Sequence, residues 1–171
     1  MAEQLRACKT NSRREVSKTC IHLYTRESFL FRVLNTALRE NDYSKVNTLG
    51  PLSFLIRNYF HTYRGFIGTV YRGVNLSSTE IQMYRKAVSF WYTWPSYTST
   101  SKNRSMADFR GNTLFIIDIV EMTFTTPRAF DISELSYFPS EEEVLLAAGT
   151  SFQVISVELD LRQKYIINVK I

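Results

Sequence analysis

The sequence predicts an α+β fold in which a helical N-terminal third packs on a mainly antiparallel two-sheet β-sandwich. Two observations carry that expectation. Apolar residues recur at three- and four-residue spacing as far as residue 61, and after Gly65 they give way to short runs rich in β-branched and aromatic residues. Only one helical stretch separates those later runs, which favours antiparallel pairing over a doubly wound α/β arrangement.

Taken in order, residues 16–40 set Leu30, Val33, Leu34, Ala37 and Leu38 on one stripe with Arg32, Arg39 and Glu40 between them. That is an amphipathic helix, ended by Asn41 and Asp42. A second helix is expected over 51–61, with Pro51 in its first turn and Leu52, Leu55, Ile56 and Tyr59 as its stripe. Strands are expected over 68–74, 88–92, 113–120, 143–147, 152–159 and 164–171, the last with Tyr165, Ile167, Val169 and Ile171 on one face. The intervening helix covers 78–86, capped by Ser77 or Ser78.

A chain of 171 residues supports one domain with its own core, and residues 1–15 are expected as a weakly ordered extension of it. Apolar content of 44% and charged content of 22% exclude a disordered chain. The longest uncharged stretches, 87–101 and 144–157, are shorter than the roughly 18 residues of a membrane span. MAEQLRACKT has no apolar core of a secretory signal, so the expectation is a cytoplasmic chain or a domain excised from a larger or secreted protein. Cys8 and Cys20 lack the clustering a zinc site needs, and thiols are favoured over a disulfide. A monomer without a metal is expected.

The net charge of +5 is unevenly spread. Residues 121–143 carry −5 and the remainder about +10. A basic body suits a phosphate-bearing ligand, and the acidic segment suits a cationic substrate.

Three segments stand out. TVYRGV sets Arg72 among Val70, Tyr71 and Val74, a position usually solvated, and Gly73 beside it admits close approach of a ligand to the backbone. YTSTSK offers Ser99, Thr100 and Ser101, but no histidine is placed to activate them, since His22 and His61 lie in the helical third and the GxSxG elbow is missing. SEEEVLLAAGTSFQV puts Glu141 and Glu143 on one side of an extended segment, by the period-two alternation of strands. Two carboxylates about 7 Å apart repel unless a cation lies between them or one has a raised pKa; a solvated acidic turn is the plain alternative.

In the order Arg, Ser-Thr-Ser, Glu-x-Glu, these segments resemble the R-S-E signature of the arginine-specific mono-ADP-ribosyltransferases. Tyr24-Thr25, Asn35 with Leu38-Arg39, the YRG of residues 71–73 and EEEVLLAAGTSFQV are similar to the eukaryotic ecto-enzyme-like branch, over about residues 16–171. The resemblance implies the ADP-ribosyltransferase fold, NAD as co-substrate, and arginine-bearing proteins or small guanidino compounds as acceptors. It implies that Glu143 stabilises the oxocarbenium-like charge on the ribose, that Arg72 clamps a phosphate, that Gly73 meets the nicotinamide amide, and that Ser99 holds Glu143. It places Glu141 on the acceptor guanidinium, Phe109 against nicotinamide, Arg110 near a phosphate, and Tyr137 or Phe138 at the tip of a substrate-recognition loop over 131–140. Tyr63-Arg64-Gly65 is a decoy for the YRG of β-context.

Three rival readings stand beside it: an NAD glycohydrolase, a noncatalytic NAD- or protein-binding module on the same scaffold, and a nucleic-acid-binding β domain using the aromatics of residues 89–97. The last sets Glu141 and Glu143 against phosphate and gives them no role. In the aromatic run of residues 89–97, Phe90, Trp91 or Trp94 are expected in the sandwich wall and Pro95 at a strand end.

Overall fold

The computed structural model describes residues 12–26, 29–60, 65–120 and 127–171. Cys8, His61, Tyr63, Arg64 and Glu121 lie outside them, so the decoy and any pairing of Cys8 go undescribed.

Among the described residues, five α-helices and eight strands follow one another, beginning with three helices. The stretch expected as one helix over 16–40 is two, α1 (Arg13–Thr25) and α2 (Phe29–Glu40). Ser12 caps α1 by accepting from the Glu15 amide, and Arg26 leaves helical geometry at ψ 7°. The split lets two different stripes reach one core, with Tyr24 and Phe31 rings meeting at 5.2 Å. α3 (Val46–Phe60) begins earlier than expected and holds Pro51 inside it rather than in the first turn. Pro51 is on the exposed face, where water takes the carbonyl that its missing N–H leaves free. α4 (Ser78–Lys86) is capped by Ser77, which shares a reciprocal capping box with Glu80.

The strands are β1 (Gly68–Val74), β2 (Trp91–Trp94), β3 (Thr98–Ser101), β4 (Thr113–Ile119), β5 (Ala129–Asp131), β6 (Glu143–Leu146), β7 (Thr150–Leu159) and β8 (Tyr165–Lys170), with the short α5 (Arg104–Asp108) after β3. β2 starts later than expected because Ser89, at φ 73°, turns the chain and the Phe90 amide bonds back to the Ala87 carbonyl at 2.8 Å. β3, β5 and α5 were not expected as regular elements.

All eight strands share one hydrogen-bonded order, β2-β7-β8-β4-β1-β3-β6-β5, in which only β4 and β8 run parallel. The join between β1 and β3 is a single register pair, Tyr71 with Ser101. Residues from both sides of that rung pack together. One core therefore unites Val70, Phe115, Ile117 and Val154 from one half with Ala129, Val144 and Leu146 from the other. The second core lies between β5 and β6 and the helices, where Leu145 and Phe130 meet Ile21, Tyr24, Ile56 and Phe60. The two cores thus share β6, whose side chains alternate between them, and the strands form one continuous sheet where two were expected.

Among the aromatics of residues 89–97, only Trp94 joins the wall, stacked on Phe152 at 4.0 Å and edge-on to Phe115. Phe90 and Trp91 are 64% and 58% exposed, because β2 is the sheet's edge strand and pairs on one side only. Tyr97 instead faces the helical core and donates its hydroxyl to the Ser53 carbonyl.

Candidate active site

After the Tyr71–Ser101 rung, β1 and β3 part, and a cavity of about 240 Å³ opens between them. Arg72, Gly73, Ser99, Arg110, Glu141 and Glu143 all line it, so three segments far apart in sequence meet in one place. Tyr24 and Phe31 close it from the helices, and Ala107 from α5.

Arg72 is not on a solvated face. Burial pushes its guanidinium below the usual arginine value, with repulsion from Arg110 and Arg39 adding to the effect. Its Nη1 donates to the Ser99 carbonyl at 2.6 Å, and among the described residues it pairs with no carboxylate at ion-pair distance. A buried cation so placed offers its remaining donors to an anion that enters the cavity.

Gly73 is required by packing. A Cβ there would stand 2.0 Å from the Ala107 carbonyl and 2.5 Å from the Arg110 carbonyl. That close approach seats the end of α5 against β1. Lys164, from the turn before β8, holds the same segment by donating Nζ to the Asp108 carbonyl and, at 3.4 Å, to the Arg110 carbonyl.

The two glutamates differ sharply. Glu143 opens β6 opposite Ser101, is buried, and accepts from the Ser136 hydroxyl at 2.9 Å. Burial raises its pKa above the ordinary glutamate value; hydrogen bonds from Ser99 and Ser136 oppose the rise, and Glu141 adds to it. Glu141 does not sit on an extended segment with it. It ends a 3-10 turn, Pro139–Glu141, and Glu142 between them is left-handed at φ 46°. Strand alternation is therefore not what puts both carboxylates in the cavity; the kink at Glu142 is. Both ways of relieving their repulsion occur: Arg110 Nη2 bonds Glu141 Oε1 at 2.6 Å, and the pKa of Glu143 is raised.

The serine run is structural as well as site-forming. Thr100 donates to the Val144 carbonyl at 2.6 Å and Ser101 to the Glu141 carbonyl at 2.7 Å, pinning the turn that carries Glu141. Ser136 escaped the sequence reading, as did Lys164. Each acts through a contact that only the fold creates, and no local pattern marks either.

Phe109, Tyr137 and Phe138 do not line the cavity. Phe109 is 69% exposed beside Arg110, whose guanidinium lies 5.7 Å from its ring centroid. Tyr137 and Phe138 stand at the surface, 5.0 Å apart edge-to-face. Helix α1 holds their loop: Thr25 Oγ1 accepts from the Tyr137 amide at 2.9 Å, His22 Nδ1 bonds the Leu135 carbonyl at 3.0 Å, and Arg26 covers the Tyr137 ring. Tyr24 and Asn35 meet behind the cavity, where Asn35 Nδ2 donates to the buried Tyr24 hydroxyl at 2.8 Å. No group of metal-ligating side chains is found among the described residues.

The fold is thus α+β, and its cavity sets a desolvated arginine, Arg72, across from a buried glutamate, Glu143. The sequence model of the NAD:arginine ADP-ribosyltransferase family matches residues 9–170, and the chain belongs to that family. The family description singles out no branch. A Mycobacterium avium (strain 104) protein with the provisional name NAD(+)–arginine ADP-ribosyltransferase Mav is 38% identical over 96 residues, 54% of this chain and 10% of its own length. The match thus spans about a tenth of that relative. Among solved structures, ADP-ribosyltransferase HopU1 of Pseudomonas syringae pv. tomato DC3000 superposes with a TM-score of 0.78 at 21% identity, covering 91% of this chain and 75% of that one. ADP-ribosyltransferase Vis in complex with agmatine gives 0.71 at 20% identity, covering 90% and 73%. At these identities the two structures establish the shared fold.

Proposed function

We propose that this domain transfers ADP-ribose from NAD to arginine side chains, releasing nicotinamide. The observation that carries it is the pair formed by Arg72, a desolvated cation with no carboxylate partner at ion-pair distance among the described residues, and Glu143, a buried carboxylate, lining one cavity. Arg72 takes a phosphate of the dinucleotide and fixes its direction. A cavity of about 240 Å³ holds the reacting end, and the rest of the ligand extends along the open side. As the bond from ribose to nicotinamide lengthens, positive charge grows on the sugar, and Glu143, held by Ser99 and Ser136, stabilises it. Gly73 offers its backbone to the nicotinamide amide, and Phe109 turns inward to cover the ring. Glu141 receives the acceptor guanidinium and takes its proton as nitrogen bonds to the sugar, a help that a group with a pKa above about 12 requires. Tyr137 and Phe138 present the protein that bears the arginine.

The agmatine complex of Vis supports a guanidino acceptor, which agmatine is. One observation favours NAD glycohydrolysis as a second reading: Glu141 is covered by Arg110, and water needs no carboxylate of its own to reach the sugar. Incubation with NAD and agmatine separates the two. Transfer gives ADP-ribosylated agmatine together with nicotinamide; nicotinamide alone would replace the transferase reading with the hydrolase. Glu141→Gln is expected to abolish agmatine modification while nicotinamide release to water persists, and equal loss of both would contradict the division between the two glutamates.

A further inference from the structure

Glu141 carries a guanidinium already, and it is the chain's own. Arg110 Nη2 reaches Oε1 at 2.6 Å, in the geometry an acceptor arginine would use. We propose that Arg110 plugs the acceptor subsite, and that a dinucleotide phosphate draws it off Glu141, so that the acceptor is admitted after NAD. This rests on the transferase reading.

Four features make Arg110 suited to such a switch. Its backbone is fixed, the carbonyl held by Lys164 and packed on Gly73, while its side chain is 44% exposed and free to swing. It lines the same cavity as Arg72, within range of a second anion. Two guanidiniums lining one cavity repel each other, a lesser contribution beside burial to the lowered pKa of Arg72, and a phosphate group between them removes that repulsion. Finally, Glu141 sits outside β6, on a turn whose backbone is held by the Ser101 hydroxyl and the Lys102 amide while its carboxylate is held by this ion pair, so the carboxylate is the exchangeable end of the contact. Closing Glu141 until the dinucleotide is seated keeps an arginine from blocking the cavity mouth ahead of it.

Binding measurements test this without turnover. Equilibrium dialysis of agmatine against the wild-type protein, with and without the non-reacting analogue carba-NAD, reads the coupling directly. Carba-NAD is expected to tighten agmatine binding about fivefold, the most that releasing a partly exposed ion pair supplies, and agmatine to tighten carba-NAD by the same factor. Arg110→Gln is expected to bind agmatine about fivefold more tightly than wild type without carba-NAD, and to gain little when it is added. Equal agmatine affinity with and without carba-NAD in the wild type overturns the plug, and this arm needs no variant to fold. If agmatine is nonetheless ADP-ribosylated when NAD is supplied, the transferase reading survives the loss of the plug. If agmatine is never modified, the transferase reading falls and the plug with it.

Discussion

Glu143 is the residue at which environment and chemistry meet most closely. Burial raises its pKa, and in the proposed reaction the working form is the ionised one. The acid limb of kcat/KM against pH should therefore fall with an apparent pKa above the ordinary glutamate value of 4.5. The same shift governs stability. Because the folded-state pKa exceeds the unfolded one, the folded state binds the proton more tightly, and stability drops as pH rises through the window between them. Glu143→Gln should then melt higher than wild type at neutral pH, with the gap closing below 4.5, while nicotinamide release falls by about 10²–10³-fold. A variant less stable than wild type at neutral pH would contradict this. Four residues that line the cavity, Arg72, Ser99, Glu141 and Glu143, stand in motifs whose order marks them in the sequence. Ser136 and Lys164 do not, since a serine seven residues from its carboxylate and a lysine far along the chain from Asp108 become partners only through folding.

At the scale of elements, the close seat of α5 on β1 decides where Arg110 stands. Gly73→Ala should cost about 1–3 kcal/mol in urea unfolding, because the backbone carbonyls facing it must retreat. It should also raise the KM for NAD, since Arg110 retreats with them; an unchanged KM would show that α5 can move without the site. The cap of α4 gives a reference away from the cavity: Ser77→Ala should cost about 1 kcal/mol and leave NAD turnover alone. Strong local signals made α4 and β1 legible, the first through its capping box and the second through its run of β-branched and aromatic residues. β3 and β5 are short and polar or acidic at their ends, and they become strands by pairing with β6. α5 is a five-residue turn whose Asn103 cap looks in sequence like any loop asparagine.

Across the whole molecule, the segment 121–143 carries −5 against about +10 elsewhere. If that division steers dinucleotide to the basic body and arginine-rich protein to the acidic loop, raising ionic strength should slow modification of a protein acceptor more than of agmatine. Equal salt dependence for both would sink the steering idea. The α+β class was legible because the apolar period changes once, near Gly65; the single-rung join of β1 to β3 was not, because one pair of residues leaves no periodic trace. Strand β6 gives this architecture a further meaning. Val144 and Leu146 are locked into one core and Leu145 into the other, so Glu143 is anchored from both sides, while Glu141 lies beyond a left-handed residue on a surface turn. The turn can thus be rewritten, and with it, on the proposed reading, the choice of acceptor, without disturbing the carboxylate assigned to the ribose.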